Sequence, residues 1–280
     1  MVTSLAIVLT VPANEAELAS DALWALGVAA VEERDAEPDA AATEDRFVEL
    51  WTSLGSDVDS IARAAEGFPS RWRWRAVEVD ESVTESWRAH AVPSWVDRTC
   101  VVVPAWVDVA TTPSVLRVDI DPGAAFGLGD HPTTILTLRL LRKVWWPGAT
   151  VLDVGCGSGV LSVVAARLGA PYVEAIDISV AALEATEDNA RRNGVDRVVT
   201  VSGRPLASIN EPFDVVLANL LAPVLVDLAA DLRRVVSPSG ELIVSGVLAD
   251  AHDHVLDALA PMQVVEKVTR EGWAALLLRY

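Results

Sequence analysis

Val151-Leu-Asp-Val-Gly155-Cys-Gly157-Ser-Gly159-Val-Leu161 decides how the rest of the chain is read. Residues of strand character run into three glycines at alternate positions, and an apolar helical stretch follows at once. Glycine adopts the backbone angles of a tight corner and has no side chain to keep a ligand away. Eighteen residues beyond Gly159, a second strand ends at Asp177, where a carboxylate can accept both hydroxyl protons of a ribose. This pair suits any cofactor that carries a nucleoside. The spacing narrows the choice, because a dinucleotide fingerprint of the form G-x-G-x-x-G/A needs Gly or Ala where Val160 stands. A nicotinamide dehydrogenase is therefore disfavoured.

Outward from this corner, apolar strands alternate with helical segments. The expected strands are Thr150–Val154, Tyr172–Asp177, Val198–Val201, Phe213–Ala218, Glu241–Ser245, Gln263–Val268 and Ala274–Leu278, with helices filling the gaps between the first six. Runs such as Phe213-Asp-Val-Val-Leu-Ala are nearly continuous in apolar character, as in a parallel sheet covered on both faces. Thr269–Trp273 is too short for a crossover helix, so the last two strands are expected to pair antiparallel. A helix beginning near Thr133 is expected to close at Trp145-Trp146, before Pro147.

The first third reads differently. Leu5–Val11 is a strand candidate, followed by a helix capped by Asn14, with Glu17 completing a capping box and Gly27 ending it. Leu18, Ala22, Ala25 and Leu26 share one face of that helix. Strands at Val28–Glu32 and Arg46–Leu50, a helix at Asp57–Glu66 and a strand at Trp72–Val79 complete a β-α-β-β-α-β order, that of a ferredoxin-like sandwich. The division expected is residues 1–80, a polar connector at 81–97, and a second domain at 98–280.

The 280 residues carry 22 Lys+Arg against 40 Asp+Glu, a formal charge of -18. Up to Val83 there are 17 acidic and 6 basic side chains, net -11; the remainder holds 23 and 16, net -7. Such a balance argues against direct binding of nucleic acid, which demands surplus Lys and Arg. The 51% hydrophobic content argues against disorder. Cys100 and Cys156 are the two cysteines and lie far apart, without the spacing of a disulfide framework or zinc site, which suits a reducing compartment and leaves no metal expected. No stretch reaches the roughly 18 apolar residues of a membrane helix. A cytoplasmic monomer without membrane association is the expectation.

The G-x-G-x-G form, Asp177 and six β/α strands with one antiparallel partner resemble the class I methyltransferases, Rossmann-like enzymes with a seven-stranded mixed sheet that use S-adenosylmethionine. Three further segments narrow the resemblance: Asp121-Pro-Gly-Ala-Ala-Phe126-Gly-Leu-Gly-Asp-His131-Pro-Thr-Thr134, Asn219-Leu-Leu-Ala222 and Ser245-Gly-Val-Leu248. Together these resemble the PrmA family, which methylates protein eleven of the large ribosomal subunit. The resemblance is detailed over residues 84–280 and extends to the layout alone before that, where the family has a ferredoxin-like domain that grips the substrate. It implies N-methylation of lysine side chains, and of an α-amino group, on a basic ribosomal protein. It also implies that Thr134, Gly155, Gly157, Asp177 and Asn219 contact the cofactor, that Asn219 lies at the methyl-transfer end as the catalytic residue, and that Phe126 lies in a loop over the ligand. The chain departs from the family pattern at Leu128, where threonine is usual, and at Val92, where a basic residue often precedes the proline. A methyltransferase acting on another protein or a small amine, and a cofactor-binding module without turnover, are the alternatives.

Other conspicuous residues have structural readings. His131, beside Pro132, is expected at a helix start and not as a base. His252 and His254 do not share a helix face and are expected to be solvated. Cys156 is expected to be a small side chain between glycines. Trp72 and Trp74 alternate with arginines as in a half-buried edge strand, and both are expected to pack in the core.

Overall fold

The computed structural model describes residues 4–24, 31–36, 46–53, 67–79, 88, 91–123, 125 and 127–280. The chain forms two compact units, Met1–Ala91 and Val92–Tyr280.

The first unit is built on β1 (Ser4–Pro12), α1 (Ala16–Trp24), β2 (Glu32–Asp35), β3 (Phe47–Ser53) and β4 (Arg73–Val79). Its strands lie in the order β2-β3-β1-β4, every neighbour antiparallel. Strand β3 thus sits between β1 and β2, the split arrangement of the ferredoxin-like layout. The Asp57–Glu66 helix, and Gly27 with Ala25 and Leu26, fall outside the described residues. The start and face of α1 differ from expectation. Asn14 lies within a 3₁₀ turn, Ala13–Glu15, and the α-helix begins at Ala16, two residues beyond it. Its buried side is Ala16, Ala19 and Leu23, while Leu18 is 56% exposed. These three meet Ile7, Leu9, Val11, Val48 and Leu50 from one face of the sheet. Trp72 joins this core and donates its indole N–H to Glu15 at 2.7 Å, whereas Trp74 is 41% exposed, contrary to the core placement expected of both. On the other face, Trp51 lies under the guanidinium of Arg34, 4.3 Å from the ring centre, and of Arg75 at 5.5 Å.

The second unit opens with a three-stranded sheet absent from the sequence reading: β5 (Ser94–Asp97), β6 (Cys100–Pro104) and β7 (Leu116–Ile120), in that order. Strand β5, which the connector 81–97 was expected to include, pairs antiparallel with β6, and β6 runs parallel to β7. Helix α2 (Pro132–Val144) follows. The main sheet then comprises β8 (Val151–Val154), β9 (Val173–Ile176), β10 (Val199–Ser202), β11 (Phe213–Asn219), β12 (Val236–Leu248), β13 (Gln263–Arg270) and β14 (Trp273–Arg279). Helices α3 (Val160–Arg167), α4 (Val180–Arg192), α5 (Ala222–Val235) and α6 (Asp253–Leu259) connect them. Between β10 and β11 a helix was expected, but only the 3₁₀ turn Leu206–Ser208 occurs, anchored by bonds from Arg234 of α5 to the Leu206 and Ile209 carbonyls.

The strand order is β10-β9-β8-β11-β12-β14-β13. The first five run parallel, and β14 is inserted antiparallel to both β12 and β13. This is the class I methyltransferase architecture. Alternate strand residues feed two cores. Val151, Val173, Val215, Leu217 and Ile243 face α2, α3 and the small sheet; Leu152, Val154, Val216, Leu242 and Val244 face α5 and α6. Burial on both faces is why these strands lack polar alternation. Strand order reverses between β8 and β11, and in an open α/β sheet a ligand crevice opens beyond the carboxyl ends at that reversal.

Candidate functional site

Three segments reach that crevice from adjacent strands. The turn after β8 holds Gly155, Gly157 and Gly159, with φ of +75°, +55° and +78°. A side chain at Gly155 would lie 2.3 Å from Leu220 Cδ2, so its absence seats the Asn219-Leu220 segment against the turn. Gly159 starts α3, and a Cβ there would come within 3.0 Å of the Thr186 backbone on α4. The turn is tied to β9, whose Ile176 carbonyl accepts from both Gly155 N–H at 2.9 Å and Cys156 N–H at 3.1 Å.

Asp177 follows β9 and binds the turn directly. One carboxylate oxygen accepts the Gly157 N–H at 3.0 Å and the other the Ser179 N–H at 2.9 Å. A carboxylate has roughly four acceptor sites, so about two remain for a pair of neighbouring hydroxyls. Asn219 ends β11, and its Nδ2 makes a long hydrogen bond of 3.5 Å to Thr134 Oγ1 on α2. Thr134 and Asn219, 85 residues apart, are thus brought together, as are Gly157 and Asp177. Phe126 lies outside the described residues. The loop that contains it approaches the turn at Gly127, whose carbonyl accepts from the Ser158 hydroxyl.

His131 caps α2. Its Nδ1 accepts the Thr133 N–H at 3.3 Å and lies 2.7 Å from Thr133 Oγ1. Pro132 occupies the first helical position, where its missing N–H costs nothing. Burial lowers the His131 pKa, against the opposing charges of Asp130 and Glu271. Cys156 is buried, accepts from Thr186 Oγ1 at 3.3 Å, and has its thiol pKa pushed up by burial, so thiolate chemistry is suppressed. His252 is not solvated as expected. It is 6% exposed, with Nδ1 2.8 Å from the Leu248 carbonyl.

Two residues at the crevice escaped the sequence reading. Asp153, inside β8, is fully buried; its Oδ2 accepts Ser162 N–H at 3.1 Å and Ser162 Oγ–H at 2.6 Å, and its Oδ1 has no partner. Burial pushes its pKa up to about 7 despite the Ser162 bonds. A carboxyl in a four-residue buried strand was the available signal. Ile178, next to Asp177, is 95% exposed. An apolar side chain left so open beside a ribose-type acceptor suits contact with the flat face of a base; the signal was its position, one residue beyond the strand end.

The donor set fits S-adenosylmethionine. The acceptor sites left on Asp177, the apolar Ile178 and the unpartnered oxygen of Asp153 offer complementary contacts to two hydroxyls, a base and an ammonium.

The model of the ribosomal protein L11 methyltransferase (PrmA) family matches residues 3–280. The ribosomal protein L11 methyltransferase of Symbiobacterium thermophilum is 38% identical over 242 residues, 86% of this chain and 78% of that protein. The protein of the same name from Geobacter metallireducens is 42% identical over 200 residues, 71% of this chain and 66% of that one. Among solved structures, ribosomal protein L11 methylase from Lactobacillus delbrueckii subsp. bulgaricus is similar with a TM-score of 0.64 and 32% identity, over 68% of this chain and 100% of that chain. The chain belongs to the ribosomal protein L11 methyltransferase family, enzymes that take their methyl group from S-adenosylmethionine.

Proposed function

We propose that this chain transfers methyl groups to lysine ε-amino groups, and to an α-amino group, of ribosomal protein L11. The reading is carried by the convergence of Asn219 and Thr134 with the Gly157–Asp177 pair where the sheet order reverses. The glycine turn and Asp177 would hold the cofactor's amino-acid end and its ribose, with Thr134 and Asn219 at the transfer end. When bound, the cofactor supplies a methyl on a sulfonium, already activated for in-line displacement by a nitrogen lone pair.

This chain's task is then to present a neutral amine. A free lysine has a pKa of about 10.4, and lowering it to roughly 8 in a desolvated crevice costs about 3 kcal/mol. With Nδ2 of Asn219 turned to Thr134, Oδ1 is the atom that can accept an amine N–H. A neutral carbonyl orients the lone pair without favouring the ammonium, as a carboxylate would. Positioning of this kind can supply most of the acceleration. His131 Nδ1 is engaged in the helix cap, and the proton passes to solvent as the crevice lowers the amine pKa.

The Met1–Ala91 unit would recognise L11 and the Val92–Tyr280 unit would carry out transfer. The acidic first third complements a basic substrate and repels ribosomal RNA, so free L11 is favoured over L11 in the assembled subunit. Incubation of the purified chain with methyl-labelled S-adenosylmethionine and L11 tests this. Label on L11 lysines is expected from the parent. For Asn219→Ala, kcat falls about 100-fold, the scale of a lost transition-state contact, while cofactor affinity by calorimetry changes little. Equal losses in turnover and affinity would remove Asn219 from the transfer step.

A further inference from the structure

Helix α4 holds together two pieces of backbone that lie far apart in sequence. Asn189 on this helix is fully buried. Its Nδ2 donates to the Asp121 carbonyl at 2.8 Å and the Ser158 carbonyl at 2.9 Å. Its Oδ1 accepts the Asp121 N–H at 3.0 Å and an Arg192 guanidinium N–H at 2.7 Å. A side-chain amide has two N–H groups and two lone pairs, and all four are engaged. One helical turn on, Asn193 Oδ1 accepts the Asp119 N–H at 2.9 Å and its Nδ2 donates to the Asp119 carbonyl at 2.7 Å.

The spacing has a geometric cause. Four helical residues rise about 6 Å and two strand residues about 6.6 Å, so amides at i and i+4 meet backbone groups at alternate strand residues. The two asparagines therefore stand in for a missing neighbour along the free edge of β7, which is the outer strand of its sheet. Asn193 Nδ2 also donates to the Asn189 carbonyl at 2.8 Å, but none of its bonds reaches the glycine turn. Asn189 also reaches Ser158 within the glycine turn, and the Ser158 hydroxyl in turn binds the Gly127 carbonyl.

We propose that Asn189 is a positioning residue for cofactor binding: it fixes the Asp121 backbone to the Ser158 backbone, so that the turn and the chain leading to Thr134 are held in register before the cofactor arrives. The inference rests on the glycine turn being the cofactor seat. It gives Asn189 a role that Asn193, with the same chemistry one turn away, does not share.

Calorimetric titration of S-adenosylmethionine into the full chain, with a thermal melt for each variant, tests it. Asn189→Ala is expected to weaken Kd about tenfold, the size of one net hydrogen bond lost. Its KM for the cofactor rises with kcat nearly unchanged, as for a loss of uniform binding. Asn193→Ala is expected to lower the melting temperature to a similar degree while leaving Kd within about twofold. Equal weakening in both variants, or parent-like affinity in Asn189→Ala, overturns the proposal. If Asn189→Ala does not fold, Asn189→Asp replaces it: the carboxylate keeps the acceptor bonds and loses both donated ones, and parent-like affinity again overturns the proposal. Asp177→Ala separates the two levels. Parent-like binding there overturns the seat and the inference together, whereas its loss beside parent-like Asn189→Ala overturns the inference alone.

Discussion

Asp153 couples stability to pH. Its carboxyl is held at about 7, against an ordinary 3.8, chiefly because burial penalises the charge; the charge of Asp177 pushes the same way. A carboxyl whose pKa rises on folding keeps protons in the folded state that the unfolded chain has released. Its contribution is therefore fully present below about pH 4 and is lost as pH climbs through about 7. Asp153→Asn removes this dependence. The amide oxygen can keep both Ser162 bonds, and the nitrogen takes the position of the unpartnered Oδ1. Without cofactor, the melting temperature of the variant relative to the parent is expected to rise between pH 4 and 7 and level off above, the whole swing bounded by roughly 4 kcal/mol. Melts across that range check it; a constant offset would mean that Asp153 does not titrate on folding.

At the scale of elements, the site depends on how β12 lets the Asn219 segment lie down. Gly246, in β12 beside the bulge between Ser245 and Val247, has a φ of +86°, and a Cβ there would sit 2.2 Å from the Leu220 carbonyl oxygen. Backbone cannot give way as a flexible side chain does. Gly246→Ala is expected to cost about 3 kcal/mol or more and to lower kcat by displacing Asn219. Gly148→Ala is the comparison, with φ of +90° and nothing within 4 Å, so backbone strain of about 1–2 kcal/mol is the expected limit and turnover is retained. Denaturant unfolding and steady-state rates on both variants check the pair. Sequence made β8, β11 and β14 legible, since each is a short, largely apolar run between turn residues; β12 runs over Val236–Leu248, well beyond the expected Glu241–Ser245. The cap at His131-Pro132 and the corner at Gly155 were legible through their chemistry. Strands β5 to β7 were not: Cys100–Pro104 is buried throughout, and an apolar run of that length has no period to separate strand from helix. The face of α1 was misread because alanine-rich helices show little contrast between sides. Nor could spacing reveal that Thr134 meets Asn219, because that contact is made by sheet order.

Across the whole molecule the governing quantity is charge. A formal -18, with net -11 contributed before residue 84, gives a field that attracts a basic protein and repels phosphate. On the proposal that the substrate is basic, L11 free in solution would present that surface, whereas L11 on the subunit would be accompanied by RNA. Free L11 is therefore expected to show the larger kcat/KM. Its rate advantage should shrink as salt rises past 0.1 M, where charges separated by more than about 10 Å are screened. Because steering acts on encounter, KM should carry the salt effect and kcat at saturating L11 should not. Parallel assays of free L11 and intact large subunits, at low and high salt, read both terms. Faster methylation of intact subunits would assign the acidic surface to solubility alone and leave substrate choice to contacts made by the Met1–Ala91 unit. A salt effect on kcat would instead place the acidic groups within reach of the reacting amine. There they would stabilise its ammonium form and oppose the deprotonation that transfer requires.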